Sequence, residues 1–82
     1  MLKIVSVEID EIYIPTARRK ELDQSQVDAV TEKMLNGEQQ KPIKVRKGKG
    51  RFVLVEGVHR LEASKILGEK EIDAYIVQAP KF

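Results

Sequence analysis

The chain has 82 residues, 41% of them hydrophobic and 34% charged, with no cysteine, no tryptophan and a single histidine. A chain this short buries only about 60% of the surface its unfolded form exposes, so one modest core has to hold it without disulfides; thiol catalysis and cysteine-based zinc sites are excluded, and one histidine leaves too few nitrogen ligands for the usual zinc arrangements. Fifteen Lys plus Arg against thirteen Asp plus Glu leave a net charge of +2, which by itself says nothing about nucleic acid, because distribution decides more than the total.

The opening MLKIVSVEIDEIYIP lacks the long apolar core of a signal peptide. No stretch approaches the roughly 20 apolar residues of a membrane span, so a cytoplasmic protein with no membrane partner is expected. From Leu2 to Ile14 apolar residues alternate in places, Val5, Val7 and Ile9 on one face and then Ile12 and Ile14, with Asp10-Glu11 as a break. That pattern predicts a strand and a second extended piece ending at Pro15. Asp23 and Gln26 then stand in a capping-box arrangement ahead of Val27, Val30, Met34 and Leu35, and Gly37 closes the pattern. The spacing predicts a helix over about Ser25 to Asn36, too short to stand alone and therefore packed on a sheet.

Pro42 opens an alternating strand, Ile43 to Arg46, and Lys47-Gly48-Lys49-Gly50 supplies glycines for a tight hairpin with positive φ. The continuous apolar run Phe52 to Val55 predicts a central strand covered on both faces. Helical spacing resumes with Leu61, Ala63, Ile66 and Leu67, with Gly68 just past the helix end. Ile72, Ala74 and Ile76 alternate in a last strand, followed by a frayed tail from Gln78 to Phe82. Without repeats or linkers, the expectation is one domain over residues 1–82 with its core at about 3–77. The fold class is α+β, a small mixed sheet of about four strands with two helices, whose last strand-helix-strand unit forms a right-handed parallel crossover.

Basic residues cluster twice. Arg18, Arg19 and Lys20 form one group, and Lys41 to Arg51 holds six basic residues and no acid. Within the second, Lys44, Arg46, Lys47, Lys49 and Arg51 are candidate nucleic-acid contacts; the alternative is a solvated hairpin tip, since no aromatic residue is interleaved.

The chemistry concentrates where the predicted central strand turns into a helix, at Glu56-Gly57-Val58-His59-Arg60-Leu61-Glu62-Ala63. A helix start presents unpaired N–H groups and the positive end of the dipole, which makes an anion site. Gly57 allows close backbone approach, Arg60 adds a fork of donors suited to phosphate, and His59 adds another donor. Competing structural readings stand beside these. Arg60 pairs with an acid on the helix surface, His59 caps a turn, and Glu56 is solvated rather than a ligand of Mg²⁺. Ser64 and Lys65 read as surface residues.

The run Pro42-Ile43-x-Val45, then Phe52 to Gly68 with its Gly57-x-His59-Arg60 turn, then Ile72 to Val77, resembles the ParB/sulfiredoxin-type N-terminal domain. The earlier Ile12-x-x-Pro15-x-x-Arg18-Arg19 segment is similar to the same family's opening, so the likeness covers residues 3 to 77. The resemblance implies a nucleoside triphosphate, CTP or ATP, held with Mg²⁺ at Gly57, Val58, His59 and Arg60, with Arg18 or Arg19 assisting from the first loop. Links to DNA, to plasmid or chromosome partition and to a homodimer are implied in the same way.

The family's branches differ in ways the residues address. Val58 stands where sulfiredoxins carry their catalytic cysteine, so thiol-based sulfinate repair is excluded. The second phosphate motif, helix-turn-helix and dimerisation domain of partition proteins have no counterpart here, so a complete sliding clamp is not expected. ParB-like serine kinases match the turn better, with Glu56 in the place of their metal-handling acid, but their catalytic acid has no clear match near Pro15 and Thr16. Two readings therefore stand: a nucleotide-binding module, or an enzyme of nucleotide hydrolysis, phosphoryl transfer or nuclease type in which Glu56 and His59 are the only nearby catalytic candidates.

Overall fold

The computed structural model describes residues 3–78. Five strands form one sheet: β1 (Ile4–Glu8), β2 (Ile12–Tyr13), β3 (Ile43–Lys47), β4 (Phe52–Glu56) and β5 (Glu71–Ile76). The helices are α1 (Thr16–Arg19), α2 (Gln24–Leu35) and α3 (Val58–Ile66). The α+β class is as the sequence predicts, and α2 starts one residue earlier than its periodicity suggests. The fifth strand is the extended piece after Asp10-Glu11. Those two acids sit in a single 3₁₀ turn (Ile9–Glu11) that redirects the chain so Ile12 and Tyr13 pair in parallel with Phe52 and Val53. The additional helix, α1, is one turn, entered at Pro15, whose carbonyl accepts from the N–H groups of Arg18 and Arg19.

The sheet order is β1-β5-β3-β4-β2, and it corrects the expected crossover. β4 is antiparallel to β3, whereas β5 is parallel to β3. The segment that leaves β4 through α3 therefore returns antiparallel to β4, beside β3. The physical reason is that β2 occupies the outer edge of β4, leaving the free edge of β3 as the place where β5 satisfies its backbone groups. In β4, consecutive residues Val53 and Leu54 are both buried, as a strand covered on both faces requires, although β3 holds the centre of the sheet. The hairpin closes through the Gly48 N–H donating to the Arg51 carbonyl at 2.8 Å, and of its two glycines only Gly50 takes positive φ. The part of the expected tail beyond Gln78 lies outside the described residues.

One face of the sheet builds the core. Val7, Ile43, Val45, Leu54, Ile72 and Ala74 meet Val58 and Leu61 of α3, and Leu61 is fully buried. Among the described residues no helix is long and apolar enough to cross a membrane. Both α2 and α3 end with a glycine at positive φ, Gly37 and Gly68. In each, the next residue's N–H bonds back five residues, Glu38 to the Lys33 carbonyl and Glu69 to the Ser64 carbonyl, which satisfies last-turn carbonyls.

At the start of α2 the Asp23 carboxylate accepts from the Ser25 N–H at 2.9 Å and from the Ser25 hydroxyl at 2.7 Å. The hydroxyl first, and the amide second, hold the Asp23 carboxyl below the usual carboxylate range. A depressed folded-state pKa stabilises the protein above the unfolded group's pKa and loses that contribution as pH falls through the folded value. Asp23→Ala is therefore expected to lower the melting temperature at pH 7, with the gap to the parent protein closing as the solution is acidified below pH about 4. Circular dichroism melts across that range check it, and a gap independent of pH contradicts it.

Candidate anion site at the start of the third helix

Gly57 links β4 to α3 with φ 109° and ψ 32°. A side chain there would place Cβ 2.6 Å from Ile43 Cγ2 and 3.3 Å from Ile43 Cα. The glycine is thus demanded by the close approach of the turn to β3 and by its left-handed backbone, before any ligand is considered. That approach turns the chain so α3 begins directly at the C-terminal end of β4. The first intrahelical bond runs from the Leu61 N–H to the Gly57 carbonyl at 2.9 Å, and no side chain caps the helix start. Among the described residues nothing accepts from the N–H groups of Val58, His59 and Arg60. Val58 contributes only its backbone, because its side chain lies in the core.

Around these amides lies a cavity of about 340 Å³ lined by Arg18, Glu21, Glu56, Gly57, Val58, His59 and Arg60. A second cavity, of about 690 Å³, shares Glu56, Gly57 and Arg60 and extends along Glu38 to Lys44. Arg18 reaches the site from α1. One guanidinium nitrogen donates to the Val55 carbonyl at 3.3 Å and pairs with Glu21 at 3.0 Å. Arg19, its neighbour, turns away and donates to the Ile14 carbonyl at 3.2 Å. Of the two arginines singled out by sequence, the geometry brings only Arg18 to the turn.

Arg60 is anchored from behind. Its guanidinium donates to the Ser64 hydroxyl one turn along α3, approaches Met34 Sδ of α2 at 3.6 Å and pairs with Glu69 at 3.5 Å. Its Nε is buried without a partner, while the residue as a whole lines both cavities. Ser64 is fully buried, which corrects its reading as a surface residue. The i,i+4 spacing of Arg60 and Ser64 was the available signal, because such residues are neighbours on a helix face. Lys65 is exposed and pairs with Glu62 at 3.6 Å.

His59 Nε2 accepts from the Asp23 N–H at 3.1 Å. That amide belongs to the N-cap residue of α2, so His59 ties the starts of two helices together. Glu56 pairs with Lys44 at 3.3 Å, and this draws Lys44 to the rim of the larger cavity rather than to the hairpin tip. No group of three or more potential metal ligands occurs among the described residues.

The family model for the ParB N-terminal domain matches residues 1–81. The chain belongs to the ParB N-terminal domain family. Among curated relatives, a probable chromosome-partitioning protein ParB from Campylobacter jejuni is 39% identical over 71 residues, covering 85% of this chain and 26% of the relative. The chain therefore spans about a quarter of that protein's length. Sulfiredoxin from Arabidopsis thaliana has a TM-score of 0.79 at 28% identity, covering 94% of this chain and 86% of that one. A free serine kinase in complex with AMP has a TM-score of 0.75 at 25% identity, with 90% and 30% covered. A C-terminally truncated ParB from Caulobacter crescentus, complexed with CTP-gamma-S, has a TM-score of 0.80 at 17% identity, with 96% and 46% covered, and contributes a likeness of fold.

In this ParB N-terminal domain Gly57 is the glycine least open to change. Gly57→Ala is expected to cost about 3 kcal/mol, from left-handed strain and from forcing Ile43 aside. Urea unfolding measures it, and a loss below about 0.5 kcal/mol contradicts the close-approach account.

Proposed function

We propose that this domain binds a nucleoside triphosphate, with the phosphates at the start of α3 and the sugar and base in the adjoining cavity. The observation that carries this reading is the uncapped helix start: three amides without acceptors, flanked by Arg18 and Arg60. A helix N-terminus favours negative charge through its dipole and its free donors. A guanidinium adds planar, charge-assisted hydrogen bonds to phosphate oxygens. Support from relatives comes from the serine kinase, 25% identical over a shared fold, whose structure contains AMP.

Mg²⁺ fits this site only in a limited way. It usually takes one or two carboxylates and completes its shell with phosphate oxygens and water. Glu56, exposed and on the rim of both cavities, is the carboxylate that would hold it; Glu21 across the smaller cavity is engaged by Arg18. When bound, the ion offsets phosphate charge that the two acids would otherwise repel.

The binding-module reading is preferred to the catalytic one because both catalytic candidates are already engaged. His59 Nε2 takes the Asp23 amide and Glu56 takes Lys44, so neither is poised as a base. The relationship to a chromosome-partitioning ParB supports a partition role, in which nucleotide occupancy changes the domain's contacts with DNA-bound machinery or with a second copy of itself. CTP and ATP are the two nucleotides to distinguish.

Calorimetric titration with CTP, ATP and GTP, with and without Mg²⁺, tests the proposal. A charged hydrogen bond is worth about 1.5–3 kcal/mol. Arg18→Ala and Arg60→Ala are therefore each expected to weaken binding by about ten-fold or more, while Arg19→Ala leaves it unchanged. Unaltered affinity in folded Arg18 and Arg60 variants, or no binding by the parent protein, overturns it.

A further inference from the structure

We infer that the hairpin end of the sheet is a docking surface for single-stranded nucleic acid, built from Arg46, Lys47, Lys49, Arg51 and Tyr13, and separate from the α3 site.

The fold sorts the basic run that the sequence presents as one block. Lys44 is held by Glu56 and belongs to the other end of β4. Arg46, Lys47, Lys49 and Arg51 have no carboxylate within ion-pair distance among the described residues. Lys47, Lys49 and Arg51 are exposed. Four cations without an ion-pair partner toward one end of the sheet attract a polyanion.

The fold also supplies an aromatic residue that the basic run lacks. β2 pairs with β4 so that Tyr13 lies beside Val53, and β3 pairs from the other side so that Arg46 lies beside the same residue. Strands stand about 4.8 Å apart, so Tyr13 and Arg46 flank Val53 about 10 Å from each other on the face opposite the core. Arg51 reaches over Tyr13, with its guanidinium carbon 4.0 Å from the ring centroid. Tyr13 remains 40% exposed. An aromatic ring and a guanidinium plane are the two side-chain surfaces on which unpaired bases stack, and neighbouring cations take the phosphates. Duplex DNA keeps its base faces internal and gains nothing from the ring, which is why a single strand is the fitting partner.

Acidic residues limit the footprint. Glu8, Glu71 and Asp73 occupy the same outer face across β1 and β5, and Glu11 lines the shallow depression beside Lys47, Arg51 and Phe52. The strand is therefore confined to the hairpin and the β3-β4-β2 edge. The five residues of β4, at about 3.3 Å each, put roughly 15 Å between this tip and the Gly57 turn, so the two sites are independently mutable.

Fluorescence anisotropy with a labelled oligothymidine of roughly 20 nucleotides, a duplex of the same length and heparin tests the inference. The parent protein is expected to bind the single strand in preference to the duplex. Lys47→Gln with Lys49→Gln should weaken it and flatten the salt dependence by about 0.7 per lost phosphate contact. Tyr13→Leu should weaken single-strand binding about five-fold or more and leave heparin binding unchanged. Lys49→Glu, in an exposed turn, keeps the test decisive if Tyr13→Leu fails to fold, and it should abolish most binding. Nucleotide titration should be the same in all these variants. No single-strand binding by the parent protein, equal binding of duplex and single strand, or indifference to Lys49→Glu overturns the inference.

Discussion

Ile43 sits where a side chain on Gly57 would have to go, and much of the molecule follows from that contact. It presses the end of β4 against β3, forces a left-handed residue at the junction and starts α3 with no intervening loop. Val58 and Leu61 are then delivered into the core, and the next amides are left facing outward. The proposed anion site is thus a by-product of packing. A turn too tight to carry a side chain is also too tight to carry an N-capping one, and the helix start remains unsatisfied by the protein itself.

The first turn of α3 has a second set of obligations. His59 holds the N-cap amide of α2, and Arg60 reaches Met34 near the other end of that helix. The two side chains that follow Val58 are thus the two that tie α3 to α2. Under the proposed function, a ligand that drew on either side chain would loosen a link between the helices. Arg60 satisfies buried Ser64 and still leaves its own Nε without a partner. The hydrogen bonding of Arg60 is therefore incomplete within the protein.

Much of this was legible in the residues. The helical spacing from Val27 to Leu35, the apolar run Phe52 to Val55 and the glycine before His59-Arg60 each encode local structure, because their periodicity or backbone demand is local. The misses were long-range. Nothing local tells Ile12 and Tyr13 that β4 has a free edge, or β5 that it belongs beside β3. The fates of the charged residues were equally hidden, since Lys44 is claimed by Glu56 and Arg51 by Tyr13, pairings set by sheet register. In sequence Gly57 reads as an opening for an anion, and the fold supplies a prior reason for it in Ile43. Arg18 and Arg19 look equivalent in sequence, but one turn of helix sends them in different directions.

The central claim is that the outward amides of Val58, His59 and Arg60 form the anion site. The most direct test is a nitrogen-proton correlation spectrum of the labelled protein during addition of CTP or ATP with Mg²⁺. The account predicts that these three amide resonances shift downfield together and saturate with the nucleotide, with smaller changes at Arg18 and Asp23. Saturating shifts confined to other parts of the chain, or none at these three amides while nucleotide binds, would contradict it.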